Sequence, residues 1–141
     1  MKELALVFIY SLKEKKFLLF ERTRHPNHKN NDLEFTLRLI NFEKPVEKAI
    51  KRKIKNKLGL ITKEVLQLNW GSVYHQNDQE FKEMNFIAFV DSNKKKDGLN
   101  WFNLDEFVDK INWKDNKNLL KKVLIKGINK ELYFDKKERE N

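Results

Sequence analysis

The chain has no cysteine among its 141 residues, and that excludes disulfides and thiolate metal sites while leaving the redox compartment open. Only two prolines and four glycines punctuate it, so there is no flexible linker, no low-complexity block and no glycine-rich phosphate loop. No stretch of about 18 apolar residues is present, so no transmembrane helix is expected. The N-terminal MKELALVFIYSL lacks a long basic region and a small-residue cleavage site, and Glu3 interrupts it. It reads as a strand and not as a signal peptide. A cytoplasmic location is the expectation.

What else is scarce is acid, in one place. From Lys44 to Lys57 there are seven basic residues (Lys44, Lys48, Lys51, Arg52, Lys53, Lys55, Lys57) against Glu47 alone. This short run supplies +6 of the net charge of +9. A pI near 9.6 makes polyanions natural partners: a nucleotide, a nucleic acid or an acidic protein. Lys and Asn recur throughout (KNN, SNKKK, NKN), which argues for a general compositional drift and against a groove built for specific nucleic acid.

Apolar residues make up 40% of the chain, enough for one folded domain with a single good core, spanning 1–141 with its core over about 3–135 and a basic tail at 136–141. Leu4 to Leu12 and Phe17 to Arg22 read as a β-hairpin across KEKK, followed by a polar loop from His25 to Asp32. Glu34 to Phe42 reads as extended. Pro45 suits the first turn of a helix, in which Val46, Ala49, Ile50 and Ile54 form one apolar stripe and Gly59 is the C-cap. Val65 to Tyr74 and Met84 to Asp91 read as strands around the polar turn HQNDQEFKE. Leu99 to Leu104 is a short strand, LDEF opens a helical turn, Asn118 to Ile125 is an amphipathic helix, and Leu132 to Phe134 returns as an edge strand. The order β-β-β-α-β-β-β-α predicts an α+β sandwich.

That order, with LLFER, a helix ending in LGL and the segment WFNLDEF, resembles the Nudix hydrolases over about residues 3 to 135. The resemblance implies an α/β/α sandwich with a mixed central sheet. Laid on the family's signature without gaps, Arg52, Ile54, Gly59 and Leu60 match. The leading glycine falls on Arg38, the first glutamate on Lys44, and the three metal-binding glutamates on Lys53, Asn56 and Lys57. The frame fits and the chemical residues do not. The segment from Trp101 to Asp135 further resembles the MutT-like oxidised-purine nucleoside triphosphatases. On that likeness Trp113 stacks the base, Asp115 and Asn116 read its edge, Glu34 is a further base reader and Met84 a pocket wall. A further catalytic acid falls on Lys96, beside Asp97, and Arg22 lines the phosphate side.

Each of these residues has a plain alternative. The basic helix face can be a solvated remnant of a decayed site, or Lys53, Lys57 and Arg52 can hold phosphate oxygens in place of metal. Trp113 can be ordinary core, as Trp101 and Phe102 are expected to be. His25, His28 and His75 lack the acid and spacing pattern of a zinc site. Mg²⁺ takes oxygen ligands, and the expected cluster offers two ammonium groups and an amide. Three readings follow from these residues. The first is a nucleotide-binding or regulatory protein that has lost hydrolysis, with no cofactor. The second is a divergent nucleoside triphosphate pyrophosphohydrolase using Mg²⁺ or Mn²⁺. The third is a protein-interaction module on the same fold.

Overall fold

A computed structural model describes residues 2–21, 33–91, 98–113 and 116–131. Among them the elements run β1 (Lys2–Ser11), β2 (Lys16–Glu21), β3 (Leu33–Glu34), β4 (Leu37–Ile40), α1 (Val46–Leu58), β5 (Thr62–Gln76), β6 (Gln79–Val90), β7 (Leu99–Phe102), α2 (Leu104–Lys110) and α3 (Lys117–Ile128).

β1 is the spine of a mixed sheet ordered β3-β2-β1-β6-β5. It runs parallel to β6 along its whole length, from Lys2 opposite Phe81 to Ser11 opposite Val90. Its other edge is shared. Tyr10 and Ser11 pair with β2, while Leu4 to Val7 pair with β4. The β1–β2 hairpin therefore splays, and the β3–β4 segment enters the gap. The extended run expected from Glu34 to Phe42 is in fact two strands. It bends at Phe35 and Thr36, so that Leu33–Glu34 follow β2 and Leu37–Ile40 follow β1.

Alternation along the strands sends side chains to two separate cores. Ala5, Val7, Ile9, Phe86, Ala88 and Val90 face α1, meeting Ile50, Ile54 and Leu58. Phe8, Tyr10, Ile87 and Phe89 face α2 and α3, meeting Phe107, Leu120 and Leu124. The result is the α/β/α sandwich with a mixed central sheet. Trp101 packs against the first core and Phe102 against the second, as expected for core residues.

Helix ends obey local chemistry. Pro45 is the extended residue before α1 and not its first turn; Gly59, at φ 70°, takes the left-handed C-cap and donates its N–H to the Lys55 carbonyl. Asn103 caps α2 through Glu106, and α2 continues for two turns where a single turn was expected. α3 runs three residues past the expected Ile125. The expected nine-residue turn between β5 and β6 shrinks to Asn77–Asp78. Both have positive φ, as a two-residue hairpin turn demands, and the flanking polar residues join the ladder. Leu132 to Phe134 lie outside the described residues.

Candidate functional site

The buried stripe Ile50, Ile54, Leu58 fixes the rotation of α1 on the sheet. With that stripe inward, Ala49, Arg52, Lys53, Asn56 and Lys57, spaced three and four apart, share an adjoining face beside the end of β4. They line a groove of about 540 Å³ with Leu39, Ile40, Phe42 and Glu43. Its floor is partly apolar and its rim is cationic.

The cations are not equally engaged. Lys53 Nζ donates to the Arg38 carbonyl oxygen at 2.9 Å, which holds an ammonium at the groove with two donors to spare. Lys57 Nζ lies 3.6 Å from Glu34 Oε2 and 5.5 Å from the centre of the Phe20 ring. Both members of that ion pair are largely shielded from solvent. Arg52 Nη1 sits 3.9 Å from Glu43 Oε2, with both side chains open to water, so this contact contributes little. Lys44 reaches Glu3 at 3.4 Å and does not line the groove. Arg38 offers the site its carbonyl and leaves its side chain exposed.

The metal positions carried over from the family hold Lys53, Asn56 and Lys57. This donor set does not fit a divalent cation: two ammonium groups repel it, and one amide oxygen cannot replace a carboxylate cluster. The acids close by are already paired, Glu34 with Lys57 and Glu43 with Arg52. Among the described residues no group of three His, Asp or Glu side chains converges on a possible metal position. Lys96, Asp97 and Arg22 lie outside the described residues. His75 pairs with Glu80 at 3.3 Å on the exposed hairpin tip.

The base-binding candidates are not drawn into one pocket. Glu34 turns to Lys57 on the α1 side, and Met84 packs against the α1-side core. Trp113 packs against the core on the opposite face. Asn116 is the N-cap of α3, its Oδ1 accepting from the N–H of Asn118 at 2.8 Å and of Leu119 at 3.3 Å. Asp115 lies outside the described residues. What does meet Trp113 is an aromatic group that sequence reasoning passed over. Its ring is 5.4 Å from that of Trp70 and 6.0 Å from that of Phe35. Asn85 donates Nδ2 to the backbone carbonyl of Trp70 at 3.0 Å. A signal existed: Asn85 is a buried amide opening an otherwise apolar buried run through Val90.

No protein-family profile matches the chain, and no curated protein matches it in sequence. Solved structures do match. A Nudix hydrolase from Nitrosomonas europaea aligns over 94% of this chain and 91% of its own, with a TM-score of 0.58 and 17% identity. The fold is that of the Nudix hydrolases. The Nudix domain of Shewanella oneidensis NrtR, solved in complex with ADP-ribose, aligns over 89% of this chain and 87% of its own (TM-score 0.56, 14% identity). The Ap4A hydrolase of C. elegans aligns over 88% and 93% respectively (TM-score 0.54, 14% identity). On this Nudix frame the groove beside α1 lies where the family signature was laid. Among the described residues, no helix is long and apolar enough to cross a membrane.

Proposed function

We propose that this Nudix-fold chain binds the phosphates of a nucleotide or nucleotide derivative in the α1 groove, using ammonium groups where the Nudix signature carries metal-binding glutamates, and that it does not hydrolyse them. The carrying observation is Lys53, whose ammonium is held on the Arg38 carbonyl at 2.9 Å inside the groove. A tethered ammonium brings positive charge and directed donors to a phosphate oxygen without an ion to recruit. Arg52 adds a planar fork at the rim and Asn56 a neutral donor, and Lys57 becomes available when Glu34 gives it up. Among the described residues the carboxylates beside the groove, Glu34 and Glu43, are paired with Lys57 and Arg52 and not gathered to anchor a metal-activated water, which supports loss of hydrolysis. Structural neighbours solved with ADP-ribose or named for Ap4A support a nucleotide derivative as the ligand class. A binding or regulatory role follows, and the MutT-like preference for a purine base belongs to the same proposal.

The test is phosphate and pyrophosphate release by the purified protein with Mg²⁺ or Mn²⁺, across ordinary and oxidised purine nucleoside triphosphates. No turnover is expected. The triple variant Lys53→Glu, Asn56→Glu, Lys57→Glu restores the family acids and is expected to gain chelator-sensitive turnover. Chelator-sensitive turnover by the natural protein would instead establish a divergent pyrophosphohydrolase.

A further inference from the structure

β5 ends the sheet on one side: among the described residues it pairs with β6 alone. An open edge is a row of unpaired backbone donors and acceptors, and folded proteins guard it with charge, proline or a bulge. Here the guard is uneven. The β5–β6 register shifts between Gln67 and Gly71, which distorts the middle of the strand, whereas residues 71–76 pair in regular register with 79–84. Residues 65–76 carry no Lys, Arg, Asp or Glu and no Pro, in a chain of which 36% is charged.

That lack of charge decides which partner the edge fits. With a net charge of +9, two copies of the chain repel each other over most of their surface. Joined antiparallel about a two-fold axis, they bring the same patch together, so a lysine at the axis would face a lysine. An edge free of charge removes that penalty. Opposed side chains of an antiparallel pair share one face of the sheet, so the axis must pass through a residue. Placed at Val73, it sets Val73 against its symmetry mate and His75 against Gly71. Val73 is 56% exposed, and its β-branched side chain gains a matching neighbour. Gly71 presents no side chain where the imidazole arrives, and a Cβ there would run into the Glu83 carbonyl. On the other face of the strand Tyr74 stacks on Phe81, ring centres 5.5 Å apart, which braces the same segment.

We propose that residues 71–76 of β5 are a self-association edge, through which two copies of this chain join their sheets antiparallel about a two-fold axis at Val73. The contact consists of backbone hydrogen bonds and uncharged side chains. It shares no residue with the α1 groove and does not rest on the phosphate reading.

The test is sedimentation equilibrium of the full chain over a range of concentrations. The mass is expected to shift from 17.1 kDa to twice that value as concentration rises. Added salt should leave the dimer at least as stable, because it screens repulsion between two cationic copies. Val73→Lys, with an unchanged circular dichroism spectrum, is expected to stay at the monomer mass. Because the chain has no cysteine, Val73→Cys is a clean second probe. Opposed Cα atoms on adjacent strands lie within disulfide reach, so air oxidation is expected to link two copies. Ile61→Cys, at a site 68% exposed beyond the other end of β5, is expected to stay largely unlinked. A monomer at every concentration overturns the proposal. So does a dimer that salt dissociates, a dimer that survives in Val73→Lys, or linkage in Ile61→Cys equal to that in Val73→Cys.

Discussion

The two faces of the sheet carry opposite chemistry. On the α1 side, charge is abundant and exposed, and three cations gather at a groove: Arg52, Lys53 and Lys57. On the α2/α3 side, Trp113 packs against the rings of Trp70 and Phe35, and the buried amide of Asn85 donates to the Trp70 carbonyl. The first arrangement suits a phosphate, whose charge is diffuse and largely hydrated. The second is a packed aromatic core that excludes water. A surface of lysines draws many anions and discriminates poorly.

Experiments can separate the two faces, beginning with the largest effect. The double reversal Lys53→Glu, Lys57→Glu replaces two attractions by two repulsions. It is expected to weaken tripolyphosphate binding by roughly a hundredfold or more in calorimetry, with the circular dichroism spectrum unchanged. Trp113→Ala is expected to leave tripolyphosphate binding as it was, because Trp113 packs on the face of the sheet opposite the α1 groove. Glu34→Gln frees Lys57 from its internal carboxylate, and polyphosphate affinity is expected to rise about two- to fivefold, the scale of a partly shielded ion pair. That gain should shrink with added salt, since the contribution is electrostatic.

The smallest effect lies in the core on the α2/α3 side. Burial holds the Tyr10 phenol above its ordinary value of 10.0. The fold thus favours the neutral phenol, so this contribution to stability is complete below about pH 10 and is lost as pH rises past it. Tyr10→Phe should therefore lose less thermal stability than the natural protein between about pH 9 and pH 11, read as the difference in Tm shift.

Much of this molecule was legible in its sequence, and the exceptions have causes. α1 was readable because Val46, Ala49, Ile50 and Ile54 repeat at helical spacing and Gly59 supplies the one residue type that caps it freely. Both long hairpins were readable from their apolar, β-branched and aromatic runs, although the β5–β6 tip was not. There, polar residues from His75 to Glu80 look like loop but pair strand to strand, with Asn77 and Asp78 alone turning the chain. The split between β3 and β4 was hidden because Phe35 and Thr36 are good strand formers. Only the splayed hairpin they enter makes them bend.

The candidate site shows the same division. The cationic character of the groove is written in a contiguous run and could be read directly. That Lys53 would rest on the Arg38 carbonyl, and that Glu34 would turn to Lys57 and not to a base, depends on how β3, β4 and α1 meet. Trp113 and Met84 were grouped by resemblance, yet pack in different cores. Sequence alone names such residues without saying which face they share.

One measurement tests the central claim most directly: calorimetric titration of ADP-ribose and of a nucleoside triphosphate into the protein, with chelator and then with excess Mg²⁺. Ammonium groups standing in for metal require binding that persists in chelator and is no tighter with Mg²⁺, which competes for the same phosphate oxygens. Binding that vanishes in chelator and returns with Mg²⁺ would contradict the account and place a metal in the α1 groove.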